Sequence, residues 1–145
     1  MTGGGNQQRL EPDLAALIFQ VVPRLGALEE PILSEAGLSM WEYAILTEVA
    51  GGTAMSQKEL SGRTNRDPTR LGRHLNDLSA RGLIARERAP DQRQRAINIT
   101  PSGQAVLDTV RRRVRTVEDD LLHNALSTDA ATFRDLLARL AAACK

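Results

Sequence analysis

Residues 56–100, SQKELSGRTNRDPTRLGRHLNDLSARGLIARERAPDQRQRAINIT, hold the signals that decide the fold. Ser56 has the side chain of a helix N-cap, and Asp67-Pro68 joins an N-cap acid to a proline at the first helical position. These starts predict a short helix, a tight turn and a second helix that stops at Gly82. The buried stripe of the second helix consists of leucines at spacings of four and three residues: Leu71, Leu75 and Leu78.

A β-hairpin follows the second helix directly. Residues 83–88 and 96–99 have the composition and alternation of short strands, and residues 89–93 supply the turn between them. Two helices joined by a turn of about three residues have helix-turn-helix spacing, and the hairpin adds a wing. We therefore predict a mainly α protein with a small two- or three-stranded β wing. The expected architecture is a winged helix-turn-helix with N- and C-terminal dimerisation helices.

The second helix of the pair, called the recognition helix below, carries a polar face opposite its leucines. Thr69 and Arg70 lie in its first turn, where such a helix enters the major groove of DNA. Arg93, at the hairpin tip, has the reach to enter a narrow minor groove, whereas Asp91 is expected to orient an arginine because phosphate repels a carboxylate. The predicted DNA contacts are Ser56, Gln57, Arg66, Thr69, Arg70, Arg73, His74, Asp91, Arg93 and Arg95.

The charge of the chain is unevenly distributed. The net charge is only +1, but residues 56–100 contain ten Lys or Arg against five Asp or Glu. A basic middle between acidic ends is typical of a protein that binds a polyanion. On charge alone, an ordinary mixed surface is an equally good interpretation.

Helical periodicity continues on both sides of this region. Apolar residues recur every three or four positions across residues 10–36 and 101–143, which predicts dimerisation helices there. We expect a single domain over residues 9–145, with its DNA-reading part at 39–100. Residues 1–8 are rich in glycine and polar side chains and predict a disordered tail.

The helical flanks lead to three further expectations. Pro12 fits the first turn of the first helix, Pro23 should kink or split that helix, and Ser127 or Thr128 should cap the last one. The flanks also carry more apolar surface than a small winged helix can cover. Because large exposed apolar patches mark interfaces and closed symmetric dimers are common, we expect a homodimer.

Residue content argues against several classes of function. The N-terminus has neither the basic nor the apolar region of a signal peptide, and no apolar run approaches the roughly 20 residues of a membrane span. We therefore expect a cytoplasmic protein with no membrane partner. His74, His123 and Cys144 lack metal-ligand spacing, and neither a catalytic triad pattern nor a phosphate-binding glycine loop is present in the sequence. The expectation is no enzyme activity, no cofactor and no metal.

The chain resembles the MarR family of bacterial transcriptional regulators over roughly residues 10–140. The resemblance rests on five runs: LSMWEY (38–43), SQKEL (56–60), LNDLSARGLI (75–84), DQR (91–93) and ITPSG (99–103). It implies a homodimeric repressor on a pseudo-palindromic operator, with the first, fifth and sixth helices interlocked between protomers. It also implies a recognition helix in the major groove and a wing arginine in the minor groove.

The positions that match the family's DNA contacts are Thr69, Arg70 and Arg73 on the recognition helix and Asp91 and Arg93 on the wing. The sequence departs from the family pattern in two places. Gln92 stands where a basic residue is frequent, which weakens phosphate binding there. Pro23 and Pro31 interrupt the first helix, which puts its usual shape in question.

The resemblance further implies release from DNA by a small aromatic compound. Phe19, Trp41 and Tyr43 are candidates to line its pocket, although isolated aromatic residues are more often part of a core. Two alternatives stay open: a DNA-binding regulator without a ligand response, and a winged-helix module for protein–protein contact. Such a module would carry an apolar or acidic face on its second helix, whereas the face here is basic and polar.

Overall fold

The computed structural model describes residues 11–52, 56–88 and 95–144. Within these ranges the chain forms six α-helices, one 3₁₀ turn and two strands. In chain order they are α1 (Leu14–Glu35), α2 (Met40–Ala50), α3 (Gln57–Thr64), α4 (Pro68–Ala80), β1 (Ile84–Arg88), β2 (Arg95–Ile99), α5 (Pro101–Leu126), the 3₁₀ turn (Ser127–Asp129) and α6 (Ala130–Ala143). The winged helix-turn-helix prediction is confirmed, with α4 as the recognition helix.

Two helices begin at serine caps, and the one at Ser56 confirms the sequence prediction. The hydroxyl of Ser39 accepts from the amide of Glu42 at 3.1 Å, and Oε1 of Glu42 accepts from the amide of Ser39 at 3.0 Å. This reciprocal pair is a complete capping box for α2. Ser56 caps α3 in a similar way by accepting from the amide of Glu59 at 3.1 Å. Both helix starts are therefore determined by residues within four positions of each other.

One apolar cluster holds the helix-turn-helix, the wing and the first part of α5 together. It draws side chains from α1 to α5 and from both strands. Its largest fully buried members are Ile45, Leu46, Leu60, Leu71, Leu75, Leu78, Ile97 and Leu107. The burial of Leu71, Leu75 and Leu78 confirms the predicted leucine stripe of α4. This face anchors the helix, because full burial of each such side chain stabilises the fold by roughly 1.5–3 kcal/mol.

The wing is an antiparallel pair of strands whose base is tied to the start of α5. Ile84 lies opposite Ile99 at the base, and Arg88 opposite Arg95 at the open end. Thr100 closes the base: its hydroxyl donates to the carbonyl of Gly82 at 2.6 Å and accepts from the amide of Gly103 at 3.0 Å, as the cap of α5. These bonds fix the direction in which the hairpin leaves the core.

The proline expectations for α1 are wrong in part. The helix runs unbroken from Leu14 to Glu35 with Pro23 and Pro31 inside it, so Pro23 does not split it. Both prolines are exposed, and water can therefore satisfy the carbonyls that lose their donors. Pro12 lies before the helix, whose N-cap is Asp13, rather than in its first turn.

The predicted cap of the last helix is also wrong. The turn from α5 to α6 passes through Ser127 with φ 53°, followed by a 3₁₀ turn, and α6 begins only at Ala130. Asp129 occupies the N-cap position and makes no side-chain capping bond. The left-handed residue reverses the chain one turn earlier than a hydroxyl cap on α6 would require.

The terminal helices both contact α5. The predicted tail, residues 1–8, lies outside the described residues. Among the helices of the described ranges, none is both long and apolar enough to cross a membrane. α1 packs along α5, and α6 folds back on the end of α5.

Candidate nucleic-acid interface

The recognition helix α4 is held by one face and leaves the other accessible. Its three leucines are fully buried, while Thr69, Arg70 and Arg73 are exposed. His74 is half-buried on the same polar side. The exposed side chains include two guanidinium groups and one hydroxyl, and such groups donate to base edges and to phosphates. The structure thus places these predicted contacts together on one side of one helix.

The first turn of α4 is rigidly capped. The carboxylate of Asp67 accepts from the amide of Arg70 at 3.2 Å, and Pro68 occupies the first helical position. The positive end of the helix dipole lies at this end, which favours a nearby phosphate. Arg70 and Thr69 therefore project from a fixed platform rather than from a fraying end.

The turn before α4 contains a stacked column that the sequence did not suggest. The guanidinium carbon of Arg66 lies 4.0 Å from the ring centroid of Trp41, and its Nη2 lies 3.4 Å from Nε2 of His74. Ser61 also donates to the Arg66 carbonyl at 2.7 Å. Asn65 supplies the left-handed residue of the turn, with φ 53°. Arg66 and His74, both predicted to contact DNA, are thus joined to each other and to α2.

Helix α3 supports the recognition helix from behind. The Ser56 hydroxyl is committed to the start of α3, where it also lies 3.3 Å from Oε1 of Glu59. Gln57 is exposed, and its Nε2 lies 3.3 Å from where a Cβ on Gly72 would be. The missing side chain of Gly72 thus admits Gln57 and lets the two helices approach closely.

The wing tip lies outside the described residues, and with it the predicted contacts Asp91 and Arg93. For Arg95 the backbone is placed, opposite Arg88 at the open end of the hairpin. Arg86, on β1, has its Nε and Nη2 atoms buried without a hydrogen-bond partner among the described residues. The described part of the wing thus starts from the same core as α4 and carries arginines along β1 and β2.

The three aromatic residues predicted for a pocket occupy different surroundings. Phe19 is 74% exposed on α1. Trp41 is partly exposed and stacked on Arg66, while Tyr43 is half-buried against the core. In residues 11–52, 56–88 and 95–144 no group of three or more His, Cys, Asp or Glu side chains is arranged to hold a metal ion.

Part of the chain is similar to a known family. Residues 36–95 match the model of the MarR family. An uncharacterised helix-turn-helix-type transcriptional regulator of Bacillus subtilis, YdgJ, is 26% identical over 72% of this chain and 64% of its own length. A putative transcriptional regulatory protein for the hcr operon of Thauera aromatica is 26% identical over 75% of this chain and 66% of its own length. The chain thus matches just under two thirds of the length of these relatives, and neither is described as an enzyme.

Solved structures share the fold. The transcriptional repressor CouR, bound to a 23-mer DNA duplex, superposes with a TM-score of 0.77 at 20% identity, covering 100% of this chain and 99% of its own. A MarR family protein of Mycobacterium tuberculosis in complex with p-aminosalicylic acid has a TM-score of 0.77 at 22% identity, over 90% of this chain and 99% of its own. The chain therefore has the winged helix-turn-helix fold of these structures, and its residues 36–95 are similar to the MarR family.

Proposed function

We propose that this protein is a transcriptional regulator that binds duplex DNA in a sequence-specific manner. One observation supports this most strongly: α4 buries three leucines completely and offers Thr69, Arg70 and Arg73 to solvent. A module for protein–protein contact would offer an apolar or acidic face there, and the exposed face of α4 is neither. The two curated relatives, described as transcriptional regulators, support the same proposal.

The proposed active form is a homodimer on a pseudo-palindromic operator. In the single chain, α1 and α6 leave large apolar side chains between 41% and 74% exposed. These are Leu14, Leu17, Ile18, Phe19, Val21 and Val22 on α1, and Phe133, Leu136, Leu137 and Leu140 on α6. A second copy would cover them with a self-complementary surface, and its two recognition helices would then meet half-sites about one helical turn of DNA apart.

The proposed mode of action is repression in the cytoplasm, relieved by a small aromatic compound. Related folds include a repressor on DNA and a protein holding p-aminosalicylic acid. Phe19, Trp41 and Tyr43 are the proposed aromatic contacts. Trp41 is the best placed of them, because its stacking on Arg66 lies one residue from the cap of α4. A ligand that competed for the indole face would release Arg66 and disturb the start of α4.

The proposal is tested on duplexes enriched by the protein from a random pool. Arg70→Ala should weaken binding to the enriched sequence by about 1–3 kcal/mol, or about 5- to 150-fold in Kd, if Arg70 reads a base. The matched control is Arg112→Ala, which removes another exposed arginine, on α5. Equal losses for Arg70→Ala on enriched and random duplexes would instead make Arg70 a phosphate contact. Failure of the unaltered protein to enrich any sequence would refute specific binding.

The ligand response is tested on the same complex. Addition of p-aminosalicylate or a related aromatic acid should release the enriched duplex at a concentration that leaves random-duplex binding unchanged. Trp41→Leu should abolish that release while the protein still binds the enriched duplex. A complex indifferent to a panel of aromatic compounds would support the alternative, a regulator without this ligand response.

A further inference from the structure

The recognition helix ends against the end of α1, and Arg81 joins the two. Arg81 is the C-cap residue of α4. Its Nη1 donates to the carbonyl of Gly37 at 2.8 Å, and its Nη2 donates to the carbonyl of Ala36 at 3.3 Å. These carbonyls belong to the turn that terminates α1. Arg81 thus connects the helix proposed to read DNA with a helix proposed to form the dimer.

Both helices end in the same kind of turn, and Arg81 connects the end of α4 to the end of α1. Gly37 and Gly82 have φ values of 72° and 74°, which favour glycine. The amides of Leu38 and Leu83 bond back to the last turns of α1 and α4 at 2.9 and 3.0 Å. Since the C-terminal end of a helix carries partial negative charge, two such ends repel unless a cation lies between them. The guanidinium of Arg81 is that cation.

Two carboxylates complete the surroundings of Arg81. Oε2 of Glu42, on α2, and Oδ2 of Asp77, on α4, each lie 3.7 Å from its Nη1. Glu42 is buried, and its other oxygen is already bonded to the amide of Ser39. Its Oε2 has no hydrogen-bond partner among the described residues. Arg81 therefore has two roles: it compensates the charge of a buried carboxylate, and it bonds to the end of α1.

The glycine of the α1 turn leaves room for this arrangement. A Cβ on Gly37 would lie 3.0 Å from Nη2 of Arg81, closer than side chains ordinarily approach. A side chain at position 37 would make the guanidinium shift, and the left-handed backbone there favours glycine. Arg81, Gly37 and Glu42 form one contact between α1, α2 and α4, which we call the Arg81 clamp.

We propose that Arg81 is a positioning residue that fixes the angle between the recognition helix and α1. This inference rests on the proposed function, because in a dimer the same angle sets the separation of the two recognition helices. The 13 residues of α4 span about 20 Å, so a tilt of about 5° at the clamp moves the first turn by about 2 Å. Base-edge hydrogen bonds do not survive a displacement of that size.

A change in this angle is followed as a change in the distance between two spin labels in one chain, measured by double electron–electron resonance. Labels are attached at Thr69→Cys on α4 and Glu30→Cys on α1, both exposed positions, in a Cys144→Ser background diluted with unlabelled protein. Arg81→Met should broaden the distance distribution at least twofold. Arg81→Lys keeps the charge but loses the paired N–H donors of the guanidinium, so its distribution should have a width between those of Arg81→Met and the unaltered protein. The control Arg112→Met should leave it unchanged.

A second readout connects the angle to DNA. On duplexes whose half-sites are moved apart by one base pair, the unaltered protein should lose at least tenfold in affinity and Arg81→Met less than threefold. The slope of log Kd against log salt on random DNA should stay the same. A slope smaller by about one, with the spacing preference retained, would make Arg81 a phosphate contact and overturn the proposal.

The label distances also separate this inference from the proposed function. If the unaltered protein binds no preferred sequence, the proposed function fails, and the distance distribution still decides whether Arg81 sets the angle. A distribution unchanged in Arg81→Met overturns the positioning role whatever the DNA result. Arg81→Lys serves the same comparison should Arg81→Met prove unfolded by its melting curve.

Discussion

Glu29→Gln is expected to remove a pH dependence from the stability of the protein. Glu29, on α1, shares a hydrogen bond with Glu118, on α5. Burial, that hydrogen bond and repulsion from Glu118 together raise the pKa of Glu29 from 4.5 to about 7. Arg134, on α6, lies 3.6 Å from Glu118 and 2.7 Å from Asp119. The carboxyl pair thus lies where the three proposed dimerisation helices approach one another.

The sign and size of the effect follow from the raised pKa. The folded protein keeps a proton on Glu29 that the unfolded chain has already lost, so this proton stabilises the fold fully below about pH 4.5. That stability is lost as the pH rises through about 7. The full shift corresponds to roughly 3 kcal/mol. Because Glu29 is only partly buried, solvent screening reduces the expected loss to about 1–2 kcal/mol.

Urea unfolding at a series of pH values between 5 and 8 measures this loss. The unaltered protein should become less stable across the series, while Glu29→Gln, which carries no titrating carboxyl, should be nearly flat and the more stable of the two at pH 8. Glu30→Gln, one position along the same helix and exposed, is the matched control and should keep the original slope. The reasoning is refuted if Glu29→Gln retains the pH dependence of the unaltered protein.

Two further predictions concern the terminal helices and the wing. Leu137→Glu, at a 46% exposed apolar position of α6, should raise the dimer dissociation constant by about 100-fold or more in sedimentation equilibrium. The control Ala138→Glu, on the opposite side of the helix from the apolar residues, should not raise it. Equal effects of the two variants would contradict the proposed interface. Gly103→Ala would press a Cβ onto the Leu83 carbonyl and should lower the free energy of unfolding, measured in urea, by about 1–3 kcal/mol. The control Gly62→Ala, at a position with open space around it, should be neutral or stabilising. A neutral Gly103→Ala would contradict the close approach of Gly103 to Leu83.

The parts of the fold that the sequence predicted are those controlled by near neighbours. The cap at Ser56 depends on a residue three positions away, and the leucine stripe of α4 depends on the helical period. The prediction that Pro23 would split α1 is wrong because the free-energy cost of a proline in a helix depends on whether water reaches the carbonyl that loses its N–H donor. That exposure is a property of the folded chain and is not visible in the local sequence.

In the candidate site, too, the features that local sequence controls were predicted, and those that join distant residues were not. The exposed face with Thr69, Arg70 and Arg73 follows from helical periodicity once the buried face is known. The stacking of Arg66 on Trp41 and the bond from Arg81 to Gly37 join residues 25 and 44 positions apart, so no local pattern signals them. The wing contacts Asp91 and Arg93 lie outside the described residues and stay predictions.

The charge excess of residues 56–100 is therefore a poorer guide to DNA binding than the surroundings of each charge. Arg70 and Arg73 are exposed and make no ion pair among the described residues, so their charge is available to phosphate or base. Arg81 is counted in the same excess, yet its charge offsets Glu42, Asp77 and the end of α1. Removing Arg70 should thus weaken binding to the enriched sequence, whereas removing Arg81 should change the geometry on which binding depends.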